Sequence, residues 1–178
     1  MQHCLLRHKN NLKDFDLYEI WDRLLESGTT KTVFYDGSVN THHEFRDVVR
    51  RDCNEFFITY YDGKPACAAW VNDRRERSGR IHFFVFKPYW GRKRDELPKS
   101  VMVARYTAAM LVRSMPFDVL YGFTPVRNVL ACKFIQKVGA VPVGILPHGC
   151  WNAGTGESED TLFTAITRES TEDEWTKY

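Results

Sequence analysis

The hydrophobic periods along this 178-residue chain predict a mixed α/β (α+β) fold with a mostly antiparallel central sheet flanked by helices. Three observations carry that expectation. Helical stripes dominate the opening, β-branched and aromatic runs fill the middle, and strands alternate with helices near the end. No internal repeat, low-complexity tract or Pro/Gly-rich linker divides the chain, so residues 1–178 read as a single domain with one core.

The elements follow in order. Leu5 and Leu6 open a short strand. Leu17, Ile20, Trp21, Leu24 and Leu25 fall on one helical stripe, with Asp14 or Asp16 as its cap and Gly28 as its stop. Thr41-His42-His43-Glu44 has capping-box form ahead of Phe45, Val48 and Val49, which predicts a second helix. Glu55–Tyr61 is a strand ending at Asp62-Gly63, a hairpin turn, and Pro65–Val71 returns from it. Polar Asn72–Gly79 reads as a loop before a third strand, Arg80–Phe86, completing an antiparallel meander. Val101, Ala104, Ala108, Leu111, Val112 and Met115 form a helical stripe, followed by a strand at Val119–Phe123. Leu130, Ala131, Phe134, Ile135 and Val138 form another stripe, stopped by Gly139. Ala140–Leu146 and Thr161–Thr167 are the last strands, joined by a Gly-rich, aromatic loop. The order is β-α-α-β-β-β-α-β-α-β-β, and its second half implies parallel pairing.

Composition narrows the function classes. With 25 Lys+Arg against 23 Asp+Glu, the formal charge of +2 argues against nucleic acid as a partner held by bulk charge. Arg74-Arg75-Glu76-Arg77, with its acid interleaved, reads as a solvated hairpin tip. Hydrophobic residues at 43 % and aromatics at 14 % exclude a disordered chain. The longest apolar run, Ala66–Val71, falls far short of the ~20 residues of a membrane span. The five cysteines include no C-x-x-C pair, which points to free thiols and a cytoplasmic protein. His42-His43 and His148-x-Cys150 lack metal-ligand spacing, and no Gly-x-Ser-x-Gly elbow marks a nucleophile.

Two segments carry a family resemblance. The first is Asn128-Val-Leu-Ala131-Cys-Lys-Phe134-Ile135-Gln-Lys-Val-Gly139-Ala140, and the second is Ile81-His-Phe-Phe-Val-Phe-Lys-Pro88. Together with the element order they resemble the fourth helix and fourth strand of the GCN5-related N-acetyltransferase (GNAT) family, over residues 55–168. The resemblance implies an acetyl-CoA-dependent N-acetyltransferase in which a primary amine attacks the thioester directly. Its acceptor would be a small-molecule or peptide amine. The family's pyrophosphate loop, Arg/Gln-x-x-Gly-x-Gly/Ala, is degenerate here: Arg94 and Glu96 hold the glycine positions and only Gly91 remains.

The resemblance places the main chain of Phe84, Val85 and Phe86 along the pantetheine, although a buried strand alone explains those side chains. Gly91, Arg92, Lys93 and Arg94 would take the diphosphate, with side chains replacing the missing glycine backbone. Asn128 either caps its helix or bonds the cofactor. His82 is the candidate general base, the alternative being a hydrogen-bonded core histidine. The family's Tyr acid falls on Ile135, leaving Tyr106, Tyr121 or water to substitute. Tyr35, Asp36, His42, His43, His148, Cys150 and Trp151 are candidate walls of an acceptor pocket. The alternative is a catalytically silent binding or assembly protein with this fold, favoured by the degenerate loop and by Tyr89, Trp90, Trp151 and Trp175. The last strands are able to pair between subunits, which admits a homodimer.

Overall fold

The computed structural model describes residues 4–91 and 98–171. Seven strands form one sheet in the order β1-β2-β3-β4-β5-β7-β6. They are β1 (Cys4–His8), β2 (Glu55–Tyr61), β3 (Lys64–Arg75), β4 (Ser78–Val85), β5 (Val119–Pro125), β6 (Val141–Asn152) and β7 (Glu157–Thr167). The helices are α1 (Asp14–Ser27), α2 (Thr30–Val33), α3 (His42–Arg50), α4 (Lys99–Ser114) and α5 (Val129–Lys137). All neighbouring strands are antiparallel except β4 and β5. Parallel pairing in the second half is thus confined to that one junction, because β7 inserts between β5 and β6.

Local signals explain where the elements begin and end. Leu17, Ile20, Trp21 and Leu24 bury the α1 stripe, while Leu25 turns to solvent. Neither aspartate occupies the α1 cap position. Lys13 does, its N–H donating to the Asp16 carboxylate at 2.6 Å, and Gly28 ends the helix at φ 67°. The α3 capping box is formed: Glu44 N–H donates to Thr41 Oγ1, and Thr41 N–H donates to Glu44 Oε2. Asp62 and Gly63, both with positive φ, make the β2–β3 turn.

Three segments depart from the sequence expectation. α2 was not anticipated, since four residues show no period. Asn72–Gly79 is mostly ladder, because β3 runs to Arg75 and β4 starts at Ser78, and a bulge between Asn72 and Arg75 absorbs the polar residues. Most of the expected β6–β7 loop is also strand. There Pro147, His148 and Gly149 sit in a bulge between Leu146 and Cys150, where an edge strand tolerates proline.

The sheet separates two cores. Trp21, Phe45, Phe56, Trp70 and Phe84 pack under α1–α3 on one face, over the β1–β4 half. Val71, Ile81, Val85, Leu111, Leu120 and Ile166 pack under α4 on the other. The first face therefore leaves β5, β7 and β6 without a helix above them.

Gly79 sits where the meander meets β5. A Cβ there would lie 2.5 Å from Val71 Cγ1 and 3.2 Å from the Phe117 ring. Val71 is stiff and fully buried, so Gly79→Ala is expected to cost about 1–3 kcal/mol in urea unfolding. Adding Val71→Ala should make the combined loss smaller than the sum of the two single losses; additive losses would place the strain elsewhere.

Candidate functional site

β4 and β5 pair at only three positions, Ser78↔Val119, Gly79↔Leu120 and Arg80↔Tyr121. Beyond them β4 stays with β3 and β5 stays with β7, so the sheet divides. A cleft of about 580 Å³ occupies the division, bounded by Ile81–Val85 on one side and Gly122–Pro125 on the other.

The cleft reaches both faces of the sheet. On the α4/α5 face it is lined by Ser100, Asn128, Ala131, Phe134 and Ile135. On the opposite face it is lined by Thr32, Tyr35, Trp70, His82 and Phe123. Two reactants can therefore approach one point from opposite sides.

Strand alternation decides which peptide groups face the cleft. Phe86 N–H donates to Ala66 O at 3.0 Å, which turns the peptide groups of Phe84 and Phe86 towards β3. Those of Phe83 and Val85 then point into the division. Of Phe84, Val85 and Phe86, Val85 alone turns its peptide group into the division, and Phe83 does so beside it. Trp90 closes this edge by donating its indole N–H to Val85 O at 2.7 Å.

His82 lies on the same face as Phe84. Its ring stacks parallel to Trp70, with 4.8 Å between centroids and 2° between planes. Its Nε2 lies 3.1 Å from Asn72 Oδ1, an acceptor, so Nε2 carries the proton and Nδ1 the lone pair. Burial, and after it the charge of Arg80, pushes its pKa down to about 3. The imidazole is neutral across the physiological range.

The other expected residues are distributed as follows. Asn128 caps α5, accepting Ala131 N–H at 3.1 Å, and also lines the cleft. Ile135 lines the cleft as a core residue. Gly91 is exposed, and Arg92, Lys93 and Arg94 lie outside the described residues, as does Trp175. Tyr106 donates its hydroxyl to Cys4 O and Tyr121 to Asp73, and neither lines the cleft. Tyr35 does. Burial, and after it the neighbouring Cys150, pushes its hydroxyl up to about 12. Ala153 N–H donates to Tyr35 O, tying the segment after α2 to the β6–β7 hairpin. Asp36 is exposed, holding the N–H and hydroxyl of Ser38. His42 and His43 lie with ring centres 3.9 Å apart and planes tilted by 39°, His42 beside Tyr18, and His148 and Trp151 are exposed; none of these four lines the cleft. Among the described residues, no cluster of three His, Cys, Asp or Glu is placed to hold a metal ion.

Sequence reasoning missed Phe83, Trp70 and Phe123. They come from three different strands, and only the register shows that all three border the cleft.

No family model matches the chain, and no curated protein matches it by sequence. Solved structures do. A spermidine N-acetyltransferase from Vibrio cholerae, in complex with CoA and spermine, superposes with a TM-score of 0.72 at 13 % identity, covering 94 % of this chain and 97 % of that one. The chain has the GNAT fold. An acetyltransferase from Salmonella typhimurium that modifies the N-terminal serine of ribosomal protein L7/L12 gives a TM-score of 0.69 at 12 % identity, covering 92 % and 94 %. The ribosomal-protein-S5-alanine acetyltransferase of Vibrio fischeri gives 0.67 at 13 %, covering 95 % of each chain. At these identities the likeness shows the GNAT fold alone.

His82 links this site to stability. Its folded pKa of about 3 lies below the ordinary value of 6.5, so between them the unfolded chain binds the proton and the folded chain does not. Stability from this group is complete above pH 6.5 and falls as the medium is acidified towards 3. His82→Phe should lose about 2 kcal/mol less than wild type between pH 7 and 4.5, measured by urea unfolding. Equal losses would show that His82 does not resist protonation.

Proposed function

We propose that the chain is an acetyl-CoA-dependent N-acetyltransferase acting on a primary amine. One observation carries the reading: the sheet divides between β4 and β5 into a cleft open on both faces, with peptide groups of Phe83 and Val85 along its wall.

In this reading acetyl-CoA lies on the α4/α5 face. Its pantetheine amides pair with the peptide edge of β4, as a further strand would. The diphosphate meets the start of α4, where Lys99 and Ser100 present N–H groups without intrahelical acceptors and no acidic residue occupies the first turn. Pro98 stands at the cap, where its missing N–H costs nothing. Arg92, Lys93 and Arg94 precede this helix in sequence and supply charge to the phosphates.

The amine comes from the opposite face. Its nitrogen attacks the thioester carbonyl carbon, the C–S bond breaks, and the CoA thiolate leaves. With a conjugate acid of pKa ~8.5, the thiolate leaves without a proton donor, consistent with Ile135 at the family's Tyr position. His82 positions the amine: Nδ1 accepts a hydrogen bond from it. A group with a pKa of about 3 does not retain the proton, which passes to water.

The alternative, an assembly protein with this fold, rests on β6. Val141, Val143, Ile145 and Leu146 are exposed on a sheet-edge strand that carries no Asp, Glu, Lys or Arg. Two copies pairing along it would form a homodimer, and that arrangement is compatible with catalysis as well.

Calorimetry with acetyl-CoA separates the two readings. Wild type should bind. Ala131→Trp, which fills the α5 side of the cleft, and the triple Arg92/Lys93/Arg94→Ala variant should each bind at least about tenfold more weakly, a loss of ~1.4 kcal/mol or more. Absence of binding by the folded wild-type protein would overturn the enzymatic reading.

A further inference from the structure

The face opposite α4 and α5 carries an arrangement that the transfer chemistry does not use. Tyr121 and Phe123 on β5 and Phe163 on β7 form an aromatic floor, with Phe123 and Phe163 stacked at 5.1 Å. No helix covers it. Phe123 also lines the cleft, so the floor continues into the division where the amine must react.

Arg80 stands on this floor. It belongs to the last pair before the strands part, and its guanidinium carbon lies 5.0 Å from the centre of the Phe123 ring. The ring holds the planar group in place. Among the described residues Arg80 has no ion pair, and its Nε is buried with no hydrogen-bond partner. Such an unsatisfied donor is costly and calls for a partner.

The neighbouring carboxylates are engaged elsewhere. Asp73 takes the Tyr121 hydroxyl at 2.6 Å and faces Arg75 at 3.7 Å. Glu159 pairs with Arg127 at 2.7 Å and also takes the Asn152 amide. Asp36 holds Ser38. His82 is neutral. With Asp36 counted, the three carboxylates and Arg75, Arg127 and Arg80 balance; among the described residues, though, Arg80 is the cation here without a paired carboxylate, a guanidinium fork able to take a planar anion.

Resting on the N-acetyltransferase reading, we propose that the acceptor is an aminocarboxylate, whose carboxylate is bound by Arg80 over the aromatic floor while its amine points to the β4–β5 division. Arg80 is half-buried, and its terminal N–H groups, not the enclosed Nε, take the carboxylate while the amine stays within reach of His82. This acceptor class differs from the spermidine of the Vibrio cholerae structure that shares the fold.

The test measures CoA release from acetyl-CoA with a thiol reagent, offering glycine, β-alanine, γ-aminobutyrate, aspartate and glutamate beside their carboxamides and spermidine. At least one aminocarboxylate should exceed both its own amide and spermidine by tenfold or more in kcat/KM. Arg80→Met should raise KM for that substrate at least thirtyfold with kcat changed less than threefold, and Arg80→Lys should recover part of the loss. Acetyl-CoA calorimetry on each variant reports that it is folded. If acetyl-CoA binds and spermidine or the amides are preferred, if no aminocarboxylate is acetylated, or if Arg80→Met keeps the preference, the acceptor assignment is overturned alone. If acetyl-CoA does not bind to wild type, the transferase reading falls and the acceptor assignment with it.

Discussion

The parting of β4 from β5 is the constraint on which the site depends. A continuous sheet would satisfy the peptide groups of Phe83 and Val85 with a neighbouring strand and leave no passage between its faces. Three pairs, ending at Arg80↔Tyr121, hold the halves together, after which each strand follows its other neighbour. The two cores make the parting tolerable. The meander is clamped from both sides by α1–α3 and α4, and β5 is held through β7, so neither half relies on the missing ladder.

The division sorts chemistry by face. Helix termini and open N–H groups stand on the α4/α5 side, which suits a phosphorylated thioester. The other side is aromatic, holds His82 neutral by burial, and carries in Arg80 a guanidinium with no ion pair among the described residues. Stacking on Trp70 and the bond to Asn72 fix the His82 ring, and the same enclosure that lowers its pKa removes it as a store for protons. An acceptor amine arriving neutral needs no such store. In the proposed reaction the histidine's remaining contribution is direction.

Much of this was legible in the sequence, for physical reasons that differ by element. The 3.6-residue stripes at Leu17–Leu24 and Val101–Val112 survive in the fold because burial enforces them, and Asp62-Gly63 makes its turn because two positive φ angles are needed there. Asn128 and Thr41 act as caps for equally local reasons. The β6–β7 hairpin was legible at Ala140–Leu146 and Thr161–Thr167, but not beyond: the ladder resumes at Cys150 past Pro147 and Gly149, residues that signal a loop when read without the bulge that accommodates them. The site shows the same limit. His82 was placed on the correct face by the period of two, but its protonation depends first on burial against Trp70, which only register brings opposite it, and then on Arg80, two residues back on the same strand. Phe84 and Phe86 were favoured over Phe83 because alternation gives the faces and does not say which peptide groups the partner strand uses.

The most direct test of this account reads the peptide edge itself. Amide hydrogen exchange at Phe83 and Val85, followed residue by residue with and without saturating acetyl-CoA, reports whether the open side of β4 pairs with the cofactor. The account predicts strong added protection at Val85 or Phe83, with little change at Phe84 and Phe86, whose peptide groups already face β3. Unchanged exchange along β4 in the presence of bound acetyl-CoA would contradict it.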